Sequence, residues 1–200
     1  MEKDFGTHEI LISDVENLAL WLSKKIEKPD LVVFVATGAF SLGQALAALY
    51  NVPVCEIKAA RSGNSLKSML TPVLKCLPKK WKLWLRTKEQ NSGFHSSNAS
   101  REVQFHPPVL DGAIKSILLV DDAVDTGHTI LACRKELEKQ YPQARVQVAA
   151  LTVFDKSKQL VHVDHCLYEN VILMGPWSND SKEHAQFVKA YHRAKENGEF

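Results

Sequence analysis

The sequence predicts an α/β protein: a doubly wound, mainly parallel sheet of five strands with helices on both faces. Three observations predict it. Five short runs are largely apolar: "LVVFVA" (31–36), "VPVCEIK" (52–58), "SILLVD" (116–121), "RVQVAALTVF" (145–154) and "NVILMG" (170–175). Strands covered on both faces read this way, whereas strands with a wet face alternate. Most of the stretches between them carry apolar residues at helical spacing, and strand–helix alternation implies parallel crossovers. Finally, 200 residues that are 45% hydrophobic and 24% charged suit one domain with a substantial core.

In chain order, residues 14–27 predict a helix, with Val15, Leu18, Leu22 and Ile26 on one face. Ser13 or Asp14 is placed to cap it, and Pro29 lies just beyond its end. The first strand (31–36) leads through "TGAF" into a helix over "SLGQALAALYN". The second strand (52–58) is followed by an unusually long connection, 59–115, read as a flap inserted in the single domain. The third strand (116–121) feeds a helix near 127–140. The fourth (145–154) and fifth (170–175) follow, and a last helix covers 181–195. The N-terminal part and residues 155–200 are expected to form a small hood.

The formal net charge of +2 gives no global field for nucleic acid. No apolar run approaches the ~20 residues of a membrane span, and "MEKDFGTHEI" lacks the apolar stretch of a secretory signal. Cys55, Cys76, Cys133 and Cys166 form no CxxC pair. A reduced, cytoplasmic protein is expected.

The chemistry concentrates in "ILLVDDAVDTGHTI", residues 117–130. An apolar strand runs into Asp121 and Asp122, at the end of the sheet where open α/β folds bind ligands. Adjacent carboxylates accept hydrogen bonds from vicinal hydroxyls, or face a divalent cation. "DTGHT" then opens a helix: Gly127 allows a tight turn, Thr126 and Thr129 add hydroxyls, and N-terminal N–H groups favour a phosphate. The combination describes a ribose 5-phosphate held at both ends.

"ILLVDDAVDTGHT" closely resembles the 5-phosphoribosyl-1-diphosphate (PRPP) signature of the type I phosphoribosyltransferases. Its "VDTG" version resembles the purine salvage members. The resemblance implies their fold and their reaction: Mg²⁺-dependent transfer of a 5-phosphoribosyl group from PRPP to a purine-like, 6-oxo base. It implies PRPP contacts from Asp121, Asp122, Asp125, Thr126, Gly127, His128 and Thr129. It further implies Asp125 as general base near N7 and Asp122 as the residue touching the metal. Residues 150–180 look like the base-recognition segment of the xanthine–guanine type, which puts Lys156 on O6 and Trp177 over the ring. A homodimer or larger homo-oligomer is implied by analogy.

The chain departs from the family pattern twice. The pyrophosphate loop, usually like S-R-G-G, is here Ala36, Thr37, Gly38 and Ala39, with Thr37 at the arginine position. No Ser-Tyr pair occurs between the second and third strands, and Arg61 stands where it could supply the missing charge. Two alternatives stay open: a non-catalytic sensor of PRPP or a nucleotide, and a transferase acting on a non-purine acceptor. "KKWKLWLRTK" (79–88) interleaves cations and aromatics as single-stranded nucleic-acid sites do. Its alternation fits a half-buried flap strand better, so no nucleic acid is expected as partner. "HVDHC" (162–166) has poor geometry for one zinc site.

Overall fold

The computed structural model describes residues 6–61, 101–110 and 112–200. Twelve helices and strands organise them: β1 (Gly6–Glu9), α1 (Val15–Ser23), β2 (Leu31–Val35), α2 (Phe40–Tyr50), β3 (Val54–Arg61), β4 (Arg101–Phe105), β5 (Ser116–Val124), α3 (His128–Gln140), β6 (Arg145–Val153), β7 (His165–Glu169), β8 (Val171–Met174) and α4 (His184–Glu196).

The main sheet has six strands in the order β4-β3-β2-β5-β6-β7. All its pairs are parallel except β3–β4. The expected α/β class and parallel core are therefore present, with one strand more than the sequence suggested. The apolar run at 170–175 does not supply the fifth parallel strand. "HCLYE" (165–169) takes that place beside β6, and β8 turns away to pair with β1 in a separate two-stranded parallel sheet. Asn170, at φ 55, makes the break between the two strands, a left-handed conformation that Asn tolerates.

Side-chain alternation along β5 divides the core. Leu118 and Val120 pack in the layer with α1, α2 and α4. Ile117 and Leu119 pack in the other layer, with Ile130, Cys133 and Leu137 of α3. All four β5 residues are buried, so truncating one to Ala would cost about 2–5 kcal/mol. Double coverage is why these strands read as unbroken apolar runs.

Local chemistry accounts for the helix ends. Asp14 does not cap α1 as expected. Its carboxylate turns back to accept the Leu11 N–H at 2.8 Å. α2 stops at Asn51, left-handed at φ 50. Asp30 ties the start of β2 to that of β5, accepting from the backbone N–H groups of Lys115 and Ser116 at 2.8 and 2.9 Å. Of the expected flap, residues 62–100 lie outside the described residues, and with them the basic aromatic segment 79–88. The strands on either side, β3 and β4, pair antiparallel up to Arg61↔Arg101. Among the described residues, no helix is long and apolar enough to cross a membrane.

Candidate functional site

The acidic pair sits where two strands of the sheet end at different levels. Pairing of β5 with β2 stops at Phe34↔Val120, while pairing with β6 continues to Val124↔Val153. β5 does not stop at the carboxylates, as its apolar pattern implied. It carries them past the end of β2, beside the loop 36–39. Asp121 is 6% exposed, and its Oδ1 accepts the Asp122 N–H at 3.0 Å. Burial pushes the Asp121 carboxyl well above the usual carboxylate range, and the neighbouring Asp122 charge adds to the rise. Burial also pushes Asp122 up to about 6, against the lowering effect of hydrogen bonds from Asp121 and the Trp177 side chain. A buried acid and a half-buried one this close hold negative charge reluctantly without a cation.

The loop 36–39 is built against Asp122. An ideal Cβ on Gly38 would lie 2.1 Å from Asp122 Oδ1 and 2.6 Å from its Cγ. Glycine is required here by close approach, beyond the tight turn that the sequence suggested. The Ala36 N–H continues the sheet by donating to Ile57 at 2.9 Å, and the Ala36–Thr37 peptide is cis. Ala39 is fully buried.

On the α3 side lies a cavity of about 160 Å³, lined by Arg101, Asp121, Asp125, Thr126, Gly127 and Thr129 among others. Gly127 adopts φ 83 at the start of α3, and no side chain caps that end. The first N–H groups of α3 are thus open to an anion. A Cβ on Gly127 would also meet Val161 Cγ2 at 2.7 Å, so space and φ both demand glycine. His128 does not line this cavity.

Lys156 and Asp125 meet. The Lys156 Nζ lies 2.8 Å from Asp125 Oδ1. Lys156 is carried on a single 3₁₀ turn, Asp155–Ser157, after β6. The buried Ser157 fixes that turn, its hydroxyl donating to the Phe154 carbonyl at 2.8 Å. Phe154 N–H in turn donates to Val124 at 3.0 Å, so the lysine turn and the loop after β5 are one unit. Trp177 follows β8. Its indole folds over Gly175, where a Cβ would lie 2.4 Å from the ring, and reaches Asp122. The two expected base-recognition residues therefore meet different acids: Lys156 at Asp125, Trp177 at Asp122.

Arg101, the first residue of β4, is a site residue that the sequence reading passed over. It lines the α3-side cavity, and its charge opposes the rise of the Asp121 pKa. Its only signal was the alternating "REVQF", with three half-buried residues separated by exposed ones. The Asp164 carboxylate accepts the Val148 N–H at 2.8 Å, and no cluster of three ligand side chains occurs among the described residues.

Comparison with known proteins follows the same lines. The family model described as "phosphoribosyl transferase domain" matches residues 2–181. No curated protein matches the chain by sequence. Among solved structures, a xanthine-guanine-hypoxanthine phosphoribosyltransferase from Helicobacter pylori superposes with a TM-score of 0.58 at 18% identity, over 92% of this chain and 99% of that one. A purine phosphoribosyltransferase from Pyrococcus horikoshii gives 0.58 at 16% identity, over 86% and 96%. An adenine phosphoribosyltransferase from Thermoanaerobacter pseudethanolicus gives 0.51 at 20%, over 78% and 80%. At these identities the likeness is one of fold, and it spans relatives named for different bases.

Proposed function

Because the chain belongs to the phosphoribosyl transferase family, we propose that this phosphoribosyltransferase moves the 5-phosphoribosyl group of PRPP to N9 of a 6-oxopurine. The products are a nucleoside monophosphate and pyrophosphate. The observation that carries the choice of base is the Lys156–Asp125 pair, a donor and an acceptor 2.8 Å apart. A 6-oxopurine presents an acceptor, O6, beside N7 on one edge. Lys156 would donate to O6 while Asp125 accepts the N7–H.

In this reading the 5-phosphate binds the open N–H groups of α3 with Thr126 and Thr129, and Arg101 adds charge. Asp121 and Asp122 hold the ribose hydroxyls. N9 attacks C1 of the ribose, the bond from C1 to pyrophosphate oxygen breaks, and Asp125 takes the N7 proton. A carboxylate there also stabilises the positive charge that develops at C1 as pyrophosphate departs. Trp177 would cover the base, which requires its indole to leave Asp122.

The acidic pair fits Mg²⁺. The metal prefers one or two carboxylates together with substrate phosphates over an all-protein cage, and Asp122 is a half-buried carboxyl held up at about 6. Asp122, with Asp121 beside it, would hold the ion, which neutralises charge on the leaving pyrophosphate.

The test is product analysis with PRPP, Mg²⁺ and separate guanine, xanthine, hypoxanthine, adenine, orotate and uracil. A nucleotide from a 6-oxopurine is expected. PRPP bound without product from any base would replace this reading with a sensor. A nucleotide only from orotate or uracil would replace the acceptor.

A further inference from the structure

We propose that Lys58 is a pyrophosphate-binding residue, supplying from the neighbouring strand the cation that Thr37 does not. The inference rests on the reading above only in taking the anion to be the diphosphate of PRPP.

The sheet register places Lys58. β2 pairs with β3 through Phe34↔Glu56 and Val35↔Ile57, and with β5 through Phe34↔Val120. Ala36 still donates to the Ile57 carbonyl at 2.9 Å, which carries the ladder into the loop. One step further, Lys58, Ala36 and Asp122 fall in a single row across the three strands. Alternation puts this row on the same face as Glu56, Phe34 and Val120. Gly38 lies against Asp122 on that face. Two strand spacings separate Lys58 from Asp122, about 10 Å between Cα atoms. β2 has ended by this level, so the middle of the row is the loop backbone at 36–38. Lys58 and Asp122 thus flank the loop from the two neighbouring strands.

Local charge balance supports the same conclusion. Lys58 Nζ lies 3.3 Å from Glu56 Oε1. Lys195 of α4 pairs with the same oxygen, and Tyr191 donates its hydroxyl to Oε2 at 2.6 Å. Burial alone would raise the Glu56 carboxyl, but the hydrogen bonds from Lys195 and Tyr191 outweigh it and keep the carboxyl below its usual range. Two lysines therefore share one carboxylate, and the cluster holds a surplus positive charge. When Lys58 swings toward an anion, Glu56 keeps Lys195 and Tyr191. No half-buried carboxylate is orphaned, which is the costly outcome in breaking an ion pair. The Lys58 side chain is 39% exposed, on a flexible stem suited to such a swing. Arg101 belongs to the α3-side cavity, so the two cations serve different ends of the ligand.

Calorimetry with the full chain tests this, using Mg²⁺ with inorganic pyrophosphate, PRPP or ribose 5-phosphate. Lys58→Met should weaken pyrophosphate and PRPP by about 10- to 100-fold. Ribose 5-phosphate should stay within about twofold. Lys58→Arg should recover most of the loss. Unchanged pyrophosphate affinity in Lys58→Met overturns the inference. So does an equal loss for ribose 5-phosphate, which would be a general effect of charge or folding, and so does a wild type that binds no pyrophosphate. A wild type that binds pyrophosphate and PRPP but forms no product, with Lys58→Met weakened as expected, keeps this inference and removes the transfer reading. Product formation with unaltered Lys58→Met affinity removes this inference alone.

Discussion

The ammonium of Lys156 stands 2.8 Å from Oδ1 of Asp125, and no aligned hydrogen bond reaches that oxygen. Charge holds the pair without directed geometry, so a base edge can part it without breaking a well-formed bond. Each side chain is about a third exposed, at 34% and 39%, but Oδ1 itself is buried, so a base must part the pair to reach that oxygen.

Asp125→Asn tests the proton role. The amide keeps the shape and can still lie beside a ligand, but it cannot take a proton. General-base loss should reduce kcat by about 10²–10⁴. The PRPP dissociation constant should change by no more than about threefold, since the phosphate end of the loop is left intact. Stopped assays for kcat and calorimetry for PRPP separate the two. Comparable losses in both would make Asp125 a PRPP ligand without a base role.

Gly38→Ala should act through Asp122. The new methyl would fall 2.1 Å from Oδ1, and overpacking of this kind costs about 1–3 kcal/mol. Displacing the carboxylate should weaken Mg²⁺–PRPP binding by about tenfold or more. Gly43→Ala is the comparison, because its methyl would meet Phe34 Cβ at 2.6 Å in the core. It should lower Tm without a matching loss in PRPP affinity. Equal PRPP losses in both variants would mean that the Gly38 contact has no bearing on the site.

The acidic pair, the glycine turn into α3 and the double-sided sheet were legible because each is written in contiguous residues. Periodicity places β2, β5 and β6, and "DDAVDTGHT" spells the strand-to-helix turn. What escaped depends on pairing between distant segments. β1 is "GTHE", exposed at all four positions, and becomes a strand only by lying on β8. "HCLYE" is at most half-buried, so it lacks the apolar run of a central strand, and the stronger run after it reads as the fifth. Arg101 reaches the site because β4 returns antiparallel along β3, a fact no local pattern contains. The approach of Gly38 to Asp122 likewise follows from the β2–β5 pairing ending at Phe34↔Val120, one residue before Asp121.

Metal-free stability should fall as pH rises through the Asp122 range. The folded carboxyl sits at about 6 against an ordinary 3.8. The folded state therefore binds a proton more tightly than the unfolded chain does, and Asp121 is raised in the same direction. Their stabilising contribution is full below about 3.8 and is lost as pH climbs through about 6. His165 works the other way, since burial lowers its pKa and its contribution is lost as pH falls. Comparison with Asp122→Asn isolates the acid: the wild-type Tm should drop relative to the variant between pH 3.8 and about 6, a window of about two units. Mg²⁺ with PRPP should recover it above pH 6, the upper edge of roughly that window. Parallel Tm curves for the two proteins would refute the assignment.

Trp177 should show two separable functions. Its side chain lies close enough to Asp122 to lower that carboxyl's pKa, while its ring is the surface proposed to cover the base. Trp177→Phe keeps a flat ring and removes the donor. Without the donor, the Asp122 carboxyl should rise further, and the acidic limb of the kcat/KM profile should move to higher pH. The KM for the base should change by less than about threefold, because a ring remains. Trp177→Leu removes both the donor and the ring, so it should move the acidic limb equally and also raise the base KM by about tenfold. Two variants sharing the pH shift but differing in base KM would establish that one residue links the acidic pair to base recognition. A pH profile unmoved in Trp177→Phe would leave Trp177 as packing on Gly175 and nothing more.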